Sequence, residues 1–122
     1  DETGRISDGD MRARITDHLM YAKSFSLTVQ RSTEEAKAGQ EVGHTASIMK
    51  YAAAKMNQDK CELLVEALGT DGLGWDGDGF AEDAKKATRG WLRSKGNSIE
   101  GGTSEINLNV VAKRVLGLRE HQ

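Results

Sequence analysis

Apolar positions along this chain recur at helical spacing, never in alternation. Met11, Ile15, Leu19, Ala22, Phe25 and Val29 step by three or four residues, the mark of one buried helix face. Asp10 stands where an N-cap belongs, and Arg12, Arg14, Asp17, Lys23 and Arg31 occupy the opposite face. The pattern runs through 34–37 to Gly39, a natural C-terminal stop, which makes a helix roughly 40 Å long. A second helix is predicted from about Val42 or Gly43 to Leu68. Its apolar face is Ala46, Met49, Ala53, Met56, Leu63 and Ala67, with Leu64 and Leu68 alongside. Ala52, Ala53 and Ala54 are small enough to let a neighbouring helix approach closely. So short a connection between two long helices makes them antiparallel neighbours.

After a glycine-rich loop over 69–79, a third helix starts near Phe80 and carries Phe80, Ala84, Ala87, Trp91 and Leu92. Gly96 and Asn97 break it, and Ser98 to Gly102 form an irregular link. Thr103 then caps a fourth helix, with Glu105 in its first turn at the positive end of the dipole. Ile106, Val110, Val111, Val115 and Leu116 form its stripe, and Gly117 ends it. The expected architecture is all-α, an up-and-down four-helix bundle. Residues 1–9 read as a lead-in, 10–118 as the bundle domain and 119–122 as a tail.

Composition narrows the function. With 122 residues the chain suits one domain able to bury a real core. Seventeen Lys and Arg against 19 Asp and Glu leave a net charge of −2, and there are only two each of Trp, Tyr and Phe. Neither a basic field nor a base-stacking surface is available, which argues against a nucleic-acid partner. Cys61 is alone and sits in no metal spacing, which favours a reducing compartment. No apolar run reaches the roughly 18 residues of a membrane span and no signal peptide opens the chain, so an intracellular soluble protein is expected.

Several short patterns carry nothing. Gly72-Leu-Gly-Trp-Asp-Gly77 spells G-x-G-x-x-G, but that signal needs a preceding strand and here a helix precedes it. Asp71, Asp76 and Asp78 hint at calcium, yet Ala87 stands where the bidentate Glu would be. His18, His44 and His121 are scattered, so no metal site is expected, and His18 borders the apolar face as a packed or interfacial histidine. Lys85, Lys86, Arg89, Arg93 and Lys95 read first as a solvated face of the third helix, with contacts to a ligand phosphate as the alternative.

One stretch is more specific. Ser98-Ile-Glu-Gly-Gly-Thr-Ser-Glu-Ile-Asn-Leu-Asn-Val-Val-Ala-Lys-Arg-Val-Leu-Gly-Leu118 resembles the C-terminal signature of the FAD-dependent acyl-CoA dehydrogenases. That family shows (E/G)-G-T-(S/A)-(E/Q)-I ahead of a last helix ending like A-K-R-V-L-G-L. Glu66-Ala-Leu-Gly-Thr70 is similar to its Q-x-x-G-G element, with Glu66 in place of Gln and Thr70 in place of the second Gly. The resemblance covers 10–118.

It implies the C-terminal bundle of a three-domain enzyme that desaturates an acyl-CoA thioester, with FAD as hydride acceptor. Thr103, Ser104 and Glu105 then contact the flavin nucleotide. Glu66, Gly69 and Thr70 reach FAD from a neighbouring subunit, and Gly101 and Gly102 let backbone approach the substrate. The base is either Glu100 or a carboxylate outside this chain, because Gly101 holds the position where many members carry a Glu. The resemblance further implies homo-oligomers, a dimer or tetramer. An electron-transfer flavoprotein or similar acceptor would take the electrons, in bacterial cytoplasm or mitochondrial matrix. The rival reading is a non-catalytic bundle of the same fold that serves assembly alone.

Overall fold

The computed structural model describes residues 6–40, 43 and 45–119, and all regular structure among them is helical. α1 spans Gly9–Lys37, α2 Thr45–Ala67, α3 Glu82–Ser94 and α4 Ser104–Val110. Short 3-10 turns occupy Gly69–Leu73 and Lys95–Ser98, and a π turn continues α4 over Val111–Val115. The predicted start at Val42 and the residues His44 and His121 lie outside the described residues.

α1 is capped by Asp8 in place of Asp10. The Asp8 carboxylate accepts from the backbone N–H groups of Asp10 (2.8 Å) and Met11 (3.1 Å). Asp10 instead occupies the first turn, where its charge faces the positive helix end. At the other terminus Gly39 adopts φ 75°, the left-handed conformation that stops helices. The side of α1 that is covered runs through Met11, Ile15, His18, Ala22, Phe25, Thr28 and Ser32. Leu19, expected on that face, is 62% exposed, because it lies one residue beyond His18 and so about 100° around the helix. Thr16, Ser24, Thr28 and Thr33 donate their hydroxyls to the carbonyl four residues earlier, which satisfies polar side chains along the helix.

α2 is the centre of the fold. α1, α3 and α4 each pack against it, as do both 3-10 turns. Consistently, half-buried residues occur all around its circumference, including Met49, Tyr51, Met56, Gln58, Cys61 and Val65. The tightest contacts are made by small side chains: Ala54 on α2 and Ala84 on α3 are buried, and no large side chain is fully enclosed among the described residues. The expected fourth-helix stripe is only partly covered. Val110 and Val111 are half-buried, whereas Ile106 is 57% and Leu116 63% exposed. Asn107 is the residue that α4 buries, donating to the carbonyls of Gly102 (3.2 Å) and Thr103 (2.9 Å). The π turn widens the helix after Val110 and so shifts the phase of the last apolar positions. Gly117 at φ 64° closes it, with Leu118 N–H bonded back to Ala112 O at 2.9 Å.

The glycine-rich loop folds onto α2 and α3 and is held in part by the basic run, in which Lys86, Arg89, Arg93 and Lys95 are exposed as expected and Lys85 is not. Lys85 is buried; its ammonium reaches the Gly77 carbonyl (3.0 Å) and pairs with Glu82 (2.5 Å). Thr88 Oγ1 donates to the Gly72 carbonyl at 2.9 Å, and Arg89 to the Trp75 carbonyl at 2.8 Å while lying over the Trp75 ring. Lys95 pairs with Glu62 (3.2 Å) and lies over Trp91. These cations are legible as a cluster, but two of their partners are loop carbonyls, which no side-chain pattern announces.

Gly72 shows how close the loop lies. A Cβ added there would stand 2.5 Å from the Val65 carbonyl oxygen, a backbone atom that cannot swing away. Gly72→Ala is therefore expected to destabilise the chain by about 1–3 kcal/mol. Gly79→Ala, where nothing lies within 4 Å, should change stability by no more than about 0.5 kcal/mol. Urea unfolding of both variants checks the pair.

Candidate functional site

The resembling segment forms a compact turn between α3 and α4. Where an irregular link was expected from Ser98, a 3-10 turn over Lys95–Ser98 first extends α3. The chain then reverses at Gly101 (φ 68°) and Gly102 (φ 94°), conformations that side-chain-bearing residues rarely adopt. No atom lies within 4 Å of where a Gly101 Cβ would be, so backbone here is open to approach. Thr103 caps α4 as predicted, its Oγ1 accepting from Ile106 N–H at 3.2 Å. Ser104 donates to the Ser98 carbonyl at 3.4 Å. The Glu105 carboxyl is held below its ordinary value by its own backbone N–H and by the Thr103 hydroxyl.

Glu100 is exposed but not free. One carboxylate oxygen accepts from Arg93 at 2.8 Å, the other from the Asn97 amide, which in turn accepts from Asn57 at 2.8 Å. The Arg93 bond first, then the Asn97 bond, hold its carboxyl below the usual carboxylate range. A carboxylate so stabilised in its charged form is a poor proton acceptor. Beside it lies a cavity of about 370 Å³, lined by Lys50, Ala53, Ala54, Asn57, Asn97 and Glu100. The Lys50 ammonium crosses from α2 to the Gly102 carbonyl at 2.5 Å. Sequence reasoning missed Lys50, Asn57 and Asn97. The signal available was a pair of lysines, Lys50 and Lys55, flanking the Ala52–Ala54 run, with no indication of which one turns inward or of its partner.

Glu66, Gly69 and Thr70 cluster at the other end of α2. Lys50 and Glu66 are sixteen residues apart on that helix, roughly 24 Å. Thr103, Ser104, Glu105, Glu100, Gly101 and Gly102 thus form one group, and Glu66, Gly69 and Thr70 a second. Glu66 is paired in a two-pronged contact with Arg14 of α1, at 2.5 and 2.9 Å. The Arg14 bond keeps the Glu66 carboxyl below its ordinary value. Between the same helices, Arg14, Asp17, His18, Tyr21, Lys55 and Asp59 line a cleft of about 510 Å³, so His18 borders the α1–α2 contact as expected. Among the described residues no His, Cys, Asp and Glu group could hold a metal ion. No helix there is long and apolar enough to cross a membrane.

Comparison with known proteins places these groups in context. The family model described as "Acyl-CoA dehydrogenase, C-terminal domain" matches residues 2–116. Acyl-CoA dehydrogenase FadE34 of Mycobacterium tuberculosis (strain ATCC 25618 / H37Rv) is 32% identical over 100 residues, 82% of this chain and 13% of that protein. Acyl-CoA dehydrogenase IpdE1 of the same strain is 27% identical over 119 residues, 95% of this chain and 29% of that protein. No solved structure matches. The chain belongs to the acyl-CoA dehydrogenase family, as its C-terminal domain, and spans under a third of the length of either relative.

The Arg14–Glu66 pair has a readable pH signature. Because folding lowers the Glu66 pKa, the pair's contribution is complete above the ordinary value of 4.5 and is lost as pH falls through the lower folded value. Glu66→Gln is expected to lose less stability than the parent chain between about pH 6 and pH 3, the range over which a carboxylate titrates. Urea midpoints across that range measure the difference.

Proposed function

We propose that this domain serves a flavin-dependent acyl-CoA dehydrogenase, supplying flavin contacts, one wall of the thioester site and an oligomer interface. The observation that carries the reading is the Gly101-Gly102-Thr103 turn, open to backbone approach and followed by a capped helix. The donor set fits a flavin nucleotide. Thr103 N–H has no acceptor among the described residues, and Arg14 cancels the Glu66 charge that would otherwise repel a pyrophosphate. Thr103, Ser104 and Glu105 would hold the cofactor from this chain. Glu66, Gly69 and Thr70 would hold that of a neighbouring subunit, a division favoured by their distance along α2. When bound, FAD supplies the acceptor for the β-hydride of an acyl-CoA whose α-proton passes to a carboxylate.

Glu100 is not that carboxylate in this reading. Its two oxygens are committed to Arg93 and Asn97, so it anchors the turn, and the base comes from chain outside these residues. Gly101 and Gly102 line the thioester wall. Leu19, Met20 and Leu27 on α1 and Ile106, Leu116 and Leu118 near the C-terminus leave apolar surface exposed, which supports assembly into a homodimer or homotetramer. The electrons would leave to an electron-transfer flavoprotein or similar acceptor, in cytoplasm or mitochondrial matrix. The commitment of Glu100 also favours a second reading, an assembly domain of the same fold without flavin chemistry. Yellow colour in the purified full-length protein decides between them.

In that protein Thr103→Ala is expected to cost about 1 kcal/mol of stability through the lost cap and also to weaken FAD binding. Unchanged flavin affinity, read by fluorescence titration, would limit Thr103 to capping. Glu100→Gln should keep turnover within about tenfold, where loss of a general base lowers it by roughly a hundredfold or more. A collapse of turnover with flavin still bound would make Glu100 the base.

A further inference from the structure

We infer that Lys50 is a positioning residue for the flavin contact, acting through the Gly102–Thr103 peptide. The inference rests on the flavin reading and identifies the side chain that aims its backbone donor. Lys50 is half-buried on α2, and its ammonium donates to Gly102 O at 2.5 Å across 52 positions of sequence. Asn107, buried on α4, donates to the same oxygen at 3.2 Å. The Gly102 carbonyl is thereby held from two elements, by Lys50 of α2 and Asn107 of α4.

A trans peptide is planar, with its C=O and the following N–H pointing in opposite directions. No cis bond occurs among the described residues, so fixing Gly102 O toward α2 turns the Thr103 N–H away from it. That N–H has no acceptor among the described residues, and Thr103 itself is only half-buried. The two glycines at positive φ would otherwise leave this peptide free to rotate, since neither carries a side chain to restrain it. A charge-assisted bond is the strongest restraint available to a neutral carbonyl. Asn107 adds only a neutral bond to the same oxygen, its other amide hydrogen going to the Thr103 carbonyl at 2.9 Å. Lys50 also places a positive charge beside Glu100 and Glu105, lowering both carboxyls slightly after their stronger hydrogen-bonded partners.

The experiment uses the full-length protein that contains this chain, with Lys50→Met, Lys50→Gln and Lys50→Arg. FAD affinity is titrated on each apoprotein well below its melting temperature, and amide exchange is followed without FAD at Ile106 and Asn107, whose N–H groups bond to Thr103 Oγ1 and Thr103 O. Lys50→Met is expected to weaken FAD by about tenfold or more, the weight of one hydrogen bond to a charged group. Exchange at Ile106 and Asn107 should quicken while α1 stays protected, and Lys50→Arg should restore both. If Lys50→Met does not fold, Lys50→Gln carries the comparison, since it keeps part of the stem and removes the charge. Unchanged FAD affinity and unchanged exchange at Ile106 and Asn107 would overturn the inference, as would loss of protection throughout the chain, which marks a merely structural lysine. A parent protein that binds no FAD would overturn the flavin reading instead, and exchange at Ile106 and Asn107 would still decide whether Lys50 holds the turn.

Discussion

The other three α-helices and both 3-10 turns of this domain lean on α2, and that constraint shapes the rest. A helix approached from three sides keeps little surface for solvent, and Lys55, Lys60 and Glu62 take it up. It also cannot place a large residue at each contact without forcing the neighbours apart. The chain answers with Ala52, Ala53 and Ala54 at the crowded level and Ala84 on the facing helix. Burying small side chains returns little transfer free energy per residue, at about 25 cal/mol per Å² of apolar area. Packing alone therefore leaves the placement of the loops weakly determined.

Directional bonds supply what packing does not. Thr88 to Gly72, Lys85 to Gly77, Arg89 to Trp75 and Lys50 to Gly102 all have the same form: a side chain on a helix gripping a carbonyl of a glycine-rich segment. Glycine-rich backbone has many conformations to lose, and it presents carbonyls unshielded by side chains. A hydroxyl or cation fixed on a rigid helix can select one conformation at the cost of one side chain's freedom. The Arg14–Glu66 pair plays the corresponding part between α1 and α2, where contact is otherwise made by residues such as Ala22 and Phe25.

The same division explains which parts are legible in the sequence. Helix number, order and most termini follow from apolar spacing and from Gly39, Gly69, Thr103 and Gly117, because caps and stops are local. The Asp8 cap escapes such a reading, since Asp10 is an equally good capping residue two positions on. Leu19 and Ile106 are misassigned to the core because periodicity identifies an apolar stripe without saying which part of it a neighbour covers. The basic run misleads for a different reason. Its partners include main-chain carbonyls far along the chain, and nothing in side-chain chemistry marks a carbonyl as waiting for a cation. The site residues divide likewise: the glycines and Thr103 can be named from their motif, while Arg93, Asn97 and Asn57, which determine what Glu100 can do, cannot.

The state of Glu100 bears on how such a site is divided between segments. A general base needs a carboxylate whose proton affinity rises as substrate excludes water, and burial without a strong donor is the usual means. Glu100 has the reverse environment, exposed to solvent and bonded through both oxygens to donors on the preceding helical segments. Those bonds tie the end of α3 to the Gly101–Gly102 reversal and so help fix the place where Thr103 begins α4. A carboxylate used in this way holds the turn only while it stays charged and bonded to both donors. Glycine at position 101 has its own physical reason, since at φ 68° a side chain there would strain the turn that Glu100 and Lys50 together maintain.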